Sequence, residues 1–82
     1  METRKNKRRV LILFGQHVES LRKKQSLSLR QLAQRCDVDF SEISKIEKGE
    51  RNIQITTIIE LAEGLGVQPK ELFDFEVGLG EA

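Results

Sequence analysis

The sequence predicts an all-α fold built as one small domain, and three patterns support this prediction. Near the start of the chain, apolar residues recur at helical spacing, so they form one stripe along a helix. Residues 29–49 have the spacing of two short helices that cross at a tight turn. A third apolar stripe of helical period ends at Gly66. The 82 residues suffice for a single domain with one core.

The first helix is predicted from about Lys7 to Lys24. Ile12 and Leu13 lie off its buried stripe, so they are expected either to pack against the end of the chain or to form a subunit contact. The stripe itself recurs at i, i+3, i+7 and i+10 and consists of Leu11, Phe14, Val18 and Leu21.

Two short helices are predicted next, from about Leu29 to Cys36 and from about Phe40 to Lys48. Ser28 is expected to cap the first of them, because serine is favoured at helix N-caps. Gly49 follows the last periodic residue and is expected to end the second helix. The pair predicts a helix-turn-helix, a unit that on a small soluble chain most often contacts DNA.

Acidic residues shape the turn between these two helices. Asp37 lies where the chain must reverse, and aspartate tolerates the left-handed conformation better than most residues do. Asp39 is expected to be the N-cap of the following helix, and Glu42 completes a capping-box pattern with it. Glu42 is therefore predicted to be a capping carboxylate rather than a group that contacts bases.

The fourth helix is predicted from about Ile55 to Leu65, with Gly66 as its stop. Pro69 suits the first position of a short fifth helix, which is predicted to run to Phe73. The residues expected to face inward from the fourth helix are Ile55, Ile58, Leu61, Ala62 and Leu65.

The last segment changes period, because Phe73, Phe75, Val77 and Leu79 alternate with acidic residues and glycines. A lone strand has no partner inside an all-helical monomer. The segment could pair with its symmetry mate in a dimer, or it could be a tail or a packed extended segment, which is the preferred interpretation. The predicted organisation is a basic N-terminal arm over residues 1–8, a DNA-binding domain over 9–74 and a C-terminal tail or dimerisation segment over 75–82.

Several classes of function are excluded by the side chains that are present. The single cysteine, Cys36, cannot form an internal disulfide and is predicted to be a small buried hydrophobe. His17 has no metal-ligand cluster around it, and no nucleophile with its base can be assembled. We therefore expect no enzyme activity, no metal and no cofactor. No apolar run approaches the ~20 residues of a membrane span, so a cytoplasmic protein is expected.

The charge is distributed unevenly along the chain. Residues 1–24 contain eight Lys and Arg residues against two Glu, a balance of +6, whereas residues 25–82 contain six against eleven acidic residues, a balance of −5. A basic arm beside an acidic half suits a molecule that presents one face to a polyanion. A solvated, frayed N-terminus is an equally weighted alternative.

Four stretches of the chain carry a resemblance to a known family: FGQHVESLR, LSLRQLAQRCDV, ISKIEKGERN and IIELAEGLGVQPKELF. Over about Phe14 to Phe73 the sequence resembles the Cro/phage-repressor (XRE-type) helix-turn-helix family. The resemblance implies a compact five-helix lambda-repressor-like domain in which helices 2 and 3 form the helix-turn-helix. Two positions depart from the pattern. Asp37 stands where the family usually has glycine, and Leu29 where a polar residue often touches phosphate.

The resemblance also implies which residues contact DNA. The start and outer face of helix 3 would lie in the major groove, and serine, lysine and phenylalanine can each contact base edges there. The predicted base-reading residues are Phe40, Ser41, Ser44 and Lys45. Two alternatives stay open: Phe40 tucked beside the turn, and the lysines of helix 3 as an ordinary solvated face.

Phosphate contacts are expected from helix N-termini and from the loop after helix 3, where they would fix the register of the protein on DNA. The predicted phosphate-contacting residues are Ser28, Arg30, Lys48, Arg51, Asn52 and Thr56. The family resemblance further implies a structural ion pair between Arg22 and Glu47. An unpaired carboxylate on the inward face of helix 3 would also be costly. The alternative is that Arg22 reaches a phosphate as well.

The predicted function is sequence-specific binding of double-stranded DNA by a small dimeric transcriptional regulator, with repression as the expected mode. A homodimer would place two recognition helices on a palindromic operator. No small-molecule effector is evident. The segment RNIQITTIIELAEGLGV also resembles controller proteins of restriction–modification systems. The alternative is a protein-interaction module or an antitoxin-type partner on the same fold.

Overall fold

The computed structural model describes residues 3–78, with side chains described from residue 7 onward. Leu79, the last apolar residue of the alternating segment, lies outside the described residues. The helices are α1 (Thr3–Lys24), α2 (Leu29–Gln34), α3 (Phe40–Glu47), α4 (Ile55–Leu65) and a 3-10 helix (Pro69–Phe73). The described part of the chain is all-helical and contains no strand. The count of five α-helices was wrong: the fifth element is a 3-10 helix, opened by Pro69 as predicted.

Helix α1 is longer than its apolar stripe indicated, because it begins at Thr3 rather than near Lys7. Lysine and arginine are good helix formers, so the basic segment extends the helix toward the N-terminus instead of forming a separate arm. In the stripe, Phe14 and Val18 are buried. Residues 3–8 of the predicted arm are thus helical, although the apolar period that defined the helix begins only after them.

The turn before α2 is set by local hydrogen bonds. Ser26 adopts a left-handed φ of 58°, and the N–H of Leu27 donates to the Arg22 carbonyl at 3.2 Å, which ends α1. Ser28 caps α2 as predicted. Its Oγ accepts from the Gln31 N–H at 3.0 Å, and the Ser28 N–H donates to Gln31 Oε1 at 2.7 Å. This reciprocal pair satisfies two N–H groups at the start of α2.

The predicted capping box at the start of α3 was wrong. Asp39 occupies the N-cap position but makes no capping hydrogen bond, and its carboxylate accepts from the Ser41 hydroxyl instead. Glu42 is turned away toward Arg51. The left-handed turn expected at Asp37 was also wrong: Ser26 is the one non-glycine residue with positive φ in the described chain. The Asp37 N–H instead donates to Glu60 Oε1 of α4 at 2.9 Å.

Helix α4 has the predicted bounds, and Gly66 ends it with a left-handed φ of 70°. Leu61, Ala62 and Leu65 are buried as predicted. Ile55 was wrongly placed inside, because 76% of its surface is exposed. It is the first residue of α4, and its neighbours Gln54 and Thr56 are exposed as well, so the start of the helix is not covered.

The core is built jointly by α1, α2, α3, α4 and the 3-10 helix. Its members come from every helix, so no element is an independent appendage. Cys36 is half-buried, with its Sγ donating to the Leu32 carbonyl at 3.4 Å. Burial raises the pKa of the Cys36 thiol. The largest fully buried side chains are Val18, Leu32, Ile43, Ile46, Leu61, Leu65 and Leu72.

The start of the C-terminal segment packs on α1 as an extended stretch. The half-buried Phe75 ring lies 6.4 Å from the Phe14 ring and 5.6 Å from the His17 ring, measured between centroids. His17 Nε2 also lies 2.7 Å from the Glu71 carbonyl oxygen. Of the alternatives for this segment, the packed extended form describes it up to Gly78.

Candidate nucleic-acid interface

Helix α3 has one face buried in the core and one face exposed at the surface. Ile43 and Ile46 are fully buried, and Glu47 keeps only 9% of its surface exposed. Ser41, Lys45 and Lys48 are exposed on the other side, and Ser44 is half-buried beside them. The outer face predicted to contact DNA is therefore a continuous polar and cationic surface. No side chain on it is needed to fill the core.

A buried ion pair fixes α3 against α1. Arg22 Nε donates to Glu47 Oε2 at 2.7 Å, and Arg22 Nη2 donates to Glu47 Oε1 at 2.9 Å, which makes the pair bidentate. Arg22 Nη1 donates to the Leu27 carbonyl at 2.8 Å. The hydrogen bonds that Arg22 donates to Glu47 raise the pKa of Arg22, and burial opposes the rise. Such a pair restricts the angle of α3 more tightly than apolar contacts alone, because two parallel hydrogen bonds specify direction.

Phe40 at the start of α3 is half-exposed and stacked. The Arg30 guanidinium of α2 lies 4.3 Å above the Phe40 ring centroid, and 37% of the Phe40 surface is exposed. A cation over an aromatic face is attracted by the ring quadrupole. The two residues were predicted for separate roles, base reading and phosphate contact, yet the structure brings them together at one corner of the helix-turn-helix.

The other predicted phosphate-contacting residues lie around the ends of the helices. Lys48 follows the last turn of α3, Asn52 lies in the next loop, and Thr56 is in the first turn of α4; all three are exposed. Gln54 is the N-cap of α4 but makes no side-chain cap hydrogen bond. The first N–H groups of α4 can therefore donate to phosphate oxygens. Ser28 is exposed, and its hydroxyl oxygen is engaged in the cap of α2.

Arg51, also predicted to contact phosphate, forms an ion pair with a carboxylate of the same chain. Its Nε donates to Glu42 Oε1 at 3.1 Å, and each side chain keeps 39% of its surface exposed. Sequence reasoning missed this contact. The two residues are nine positions apart across the end of a helix, so neither helical nor strand spacing connects them.

The basic start of α1 reaches the same side of the molecule as the end of α3. Arg8 and Lys48 line one groove together with Ile12, Gly49 and Glu50. The charge asymmetry of the sequence indicated a basic N-terminal segment but not its position. The N-terminal part of α1 places Arg8 beside Lys48 of the predicted phosphate-contacting set.

Comparison with known proteins decides the family. The helix-turn-helix family matches residues 18–72, more than half of the chain. The chain belongs to this family. The helix-turn-helix protein is 43% identical over 67 residues to Control protein C.BamHI of Bacillus amyloliquefaciens, which covers 80% of this chain and 83% of that protein. It is 37% identical over 65 residues to Control protein C.MunI of Mycoplasma sp, covering 78% and 88%.

Solved structures of similar proteins have the same fold. The restriction–modification controller protein C.AhdI from Aeromonas hydrophila matches this helix-turn-helix protein with a TM-score of 0.75 and 38% identity over 77% of this chain and 96% of that one. The controller protein C.Esp1396I, crystallised as a tetramer in complex with its natural 35 base-pair operator, matches with a TM-score of 0.73 and 25% identity over 78% and 84%. The family is one of DNA-binding regulators rather than a class of enzymes.

In the described part of this helix-turn-helix protein, none of the helices has both the length and the apolar character needed to cross a membrane.

Proposed function

We propose that this protein is a sequence-specific transcriptional regulator that binds double-stranded DNA as a homodimer in the cytoplasm. The observation that carries the proposal is the outer face of α3, which is polar and cationic while the Arg22–Glu47 pair fixes the helix from behind. The similarity to controller proteins supports the same conclusion, since C.Esp1396I is described with its operator. Repression is the mode we propose, and catalysis, a cofactor and a small-molecule effector have no part in it.

In this proposal, the start and outer face of α3 contact base edges in the major groove. Lys45 can donate to guanine O6 and N7, and Ser41 and Ser44 can donate or accept. The exposed part of the Phe40 ring can pack on a thymine methyl group. Because Arg30 stacks on Phe40, its guanidinium extends the surface toward the DNA backbone. The fold that supports these contacts is the lambda-repressor-like arrangement, with the 3-10 helix in fifth place.

Phosphate contacts in the proposal surround these base contacts. The N-termini of α2 and α4, near Ser28 and Thr56, provide N–H groups and hydroxyls, and Lys48 and Asn52 provide side chains. Arg8 adds a cation beside Lys48. These groups fix the register of α3 in the groove. They would also make binding weaken steeply as salt concentration rises, because each neutralised phosphate releases counterions.

We place the dimer contact on the surface formed by α4 and the 3-10 helix. Ile55 and Ile59 are one turn apart on α4 and expose 76% and 40% of their surfaces, and Phe73 on the adjoining 3-10 helix exposes 53%. Exposed apolar groups of this size usually mark an interface. The C-terminal segment from residue 75 onward would extend the contact. A two-fold dimer of this kind matches a palindromic operator.

The experiment that tests the proposal is selection of bound sites from random double-stranded DNA. A DNA-binding regulator enriches one palindromic sequence, and its affinity for that sequence falls as salt rises. No enrichment, together with binding that is absent or indifferent to salt, would instead favour the interaction-module or antitoxin-type alternative. In that case the outer face of α3 would meet a protein rather than DNA.

A further inference from the structure

The Glu42–Arg51 pair lies at the edge of the proposed DNA-facing surface and makes few other contacts. Besides the 3.1 Å hydrogen bond to Glu42, Arg51 Nη1 donates to the Glu50 carbonyl at 3.4 Å. Both side chains are more than one-third exposed. Exposed pairs contribute little to stability, because water screens them and two long side chains lose freedom. Arg51 can therefore exchange Glu42 for another anionic partner at little cost in stability.

The surroundings of Glu42 place its negative charge where a phosphate would approach. Glu42 lines a groove together with Asn52, Gln54 and two further carboxylates, Asp37 and Asp39. Asn52 is a predicted phosphate-contacting residue, and Gln54 opens α4, whose first N–H groups attract anions. A carboxylate here competes with the DNA backbone for the Arg51 guanidinium and repels any phosphate that comes close without displacing it.

Resting on the proposed function, we propose that Glu42 is a specificity-determining residue that withholds Arg51 from DNA phosphates until α3 is fully seated on a matching site. On mismatched DNA the helix docks loosely, Arg51 stays with Glu42, and one phosphate contact is not made. On a matching site the base contacts hold α3 deep in the groove. A phosphate then comes close enough to take Arg51 from Glu42.

The physical consequence is a difference between the two kinds of binding. Non-specific binding is built almost entirely from phosphate contacts. Withholding one cation therefore weakens non-specific binding more than specific binding, which also draws on base contacts. Glu42 raises the ratio of specific to non-specific affinity without touching a base, which is the pattern expected of a group that disfavours the wrong partner.

The test uses the full-length chain, a short mixed-sequence duplex and the duplex recovered by selection. Glu42→Gln removes the charge and keeps the shape. We expect the affinity of this variant for the mixed-sequence duplex to rise roughly three- to fivefold, within the strength of one exposed ion pair. The slope of log affinity against log salt should steepen by about 0.9 for that duplex, because Arg51 adds one phosphate contact. The affinity for the selected duplex should rise less, so the ratio falls.

Two controls separate the pair from a general charge effect. Glu63→Gln removes an identical charge from an exposed site near the end of α4 and should leave the ratio near that of the natural sequence. In the double variant Glu42→Gln with Arg51→Gln, the rise in mixed-sequence affinity should disappear, because the freed cation is gone. Thermal unfolding checks that each variant is folded.

The inference is overturned if the rise persists in the double variant, or if Glu63→Gln produces the same rise and the same fall in the ratio. It is also overturned if Glu42→Gln leaves the ratio unchanged while the natural sequence still prefers the selected duplex. That last result would leave the proposed function intact. A natural sequence that prefers no duplex would instead defeat the proposed function itself, and the inference with it.

Discussion

Among the individual residues, Arg22 and Glu47 form the contact on which the position of α3 most depends. The arginine uses all three guanidinium nitrogens, two on the carboxylate and one on the Leu27 carbonyl. Only 8% of Arg22 and 9% of Glu47 is exposed. Removal of one partner strands a charge in a site that water reaches poorly, and that is more costly than loss of the pair as a whole.

Glu47→Ala should therefore lower the free energy of unfolding by ~3–5 kcal/mol, the range for a broken buried pair. Urea denaturation followed by circular dichroism measures the change. Arg22→Met and the double variant complete a cycle whose coupling energy isolates the pair. If the two single effects simply add, the pair does not hold α3 and the account of its rigidity is wrong.

Lys45 and Lys48 are exposed on the same helix and are expected to act differently. Lys45→Ala should change the base preference, costing ~1–3 kcal/mol at one base pair. Lys48→Ala should weaken all sequences alike and reduce the salt slope by about 0.9. Competition binding with single-base variants of the selected duplex measures both effects. The same uniform loss from both substitutions would show that Lys45 contacts only phosphate.

Between elements, α1 approaches the end of α3 closely at Gly15. A Cβ on Gly15 would lie 2.6 Å from the Glu47 carbonyl oxygen, and the Ile46 carbonyl oxygen is also in the way. Backbone atoms cannot move aside as a flexible side chain can. The absence of a side chain at Gly15 thus lets α3 lie directly on α1, within reach of Arg22.

Gly15→Ala should destabilise the fold by at least ~3 kcal/mol, at the top of the range for overpacked sites. Helix propensity alone predicts the opposite, a gain of ~1 kcal/mol. Gly66→Ala is the matched control, since its left-handed φ of 70° is strained for alanine but nothing lies within 4 Å of the added Cβ. It should cost ~1–2 kcal/mol. A Gly15→Ala variant that melts at or above the natural temperature would refute the close approach.

The elements also show what could be predicted from sequence. The bounds of α4 and the stop at Gly66 followed from local signals, and so did the Ser28 cap. The errors lie at helix ends. Periodicity identifies the face of a helix but not which turn a neighbour covers, so Ile55 was placed inside. The partner of Glu42 depended on the path of a loop, and the capping rule could not foresee Arg51.

For the molecule as a whole, the exposed apolar groups of α4 and the 3-10 helix bear on assembly. Phe75, which the alternating pattern also allowed in a dimer strand, packs on Phe14 and His17 in one protomer. Removal of the whole C-terminal segment would therefore disturb the core as well as any interface. A point substitution on α4 tests the dimer more cleanly.

Ile59→Glu should convert the dimer to a monomer, because it introduces a charge into the proposed contact while 40% of the natural side chain is already exposed. Sedimentation velocity over a range of concentrations measures the assembly state. Ser20→Glu, an exposed site on α1, controls for the added charge. A natural sequence that stays monomeric at high micromolar concentration would remove the dimer from the proposal.

Helix α3 has an inward face that holds the fold and an outward face that does not. This division affects how the protein could be given a new target sequence. Ser41, Lys45 and Lys48 contribute nothing to the core, and Ile43, Ile46 and Glu47 contribute nothing to the outer surface. A library that randomises the outward positions alone should therefore yield folded members at high frequency. New target sequences could be acquired one side chain at a time, with each intermediate still a stable protein.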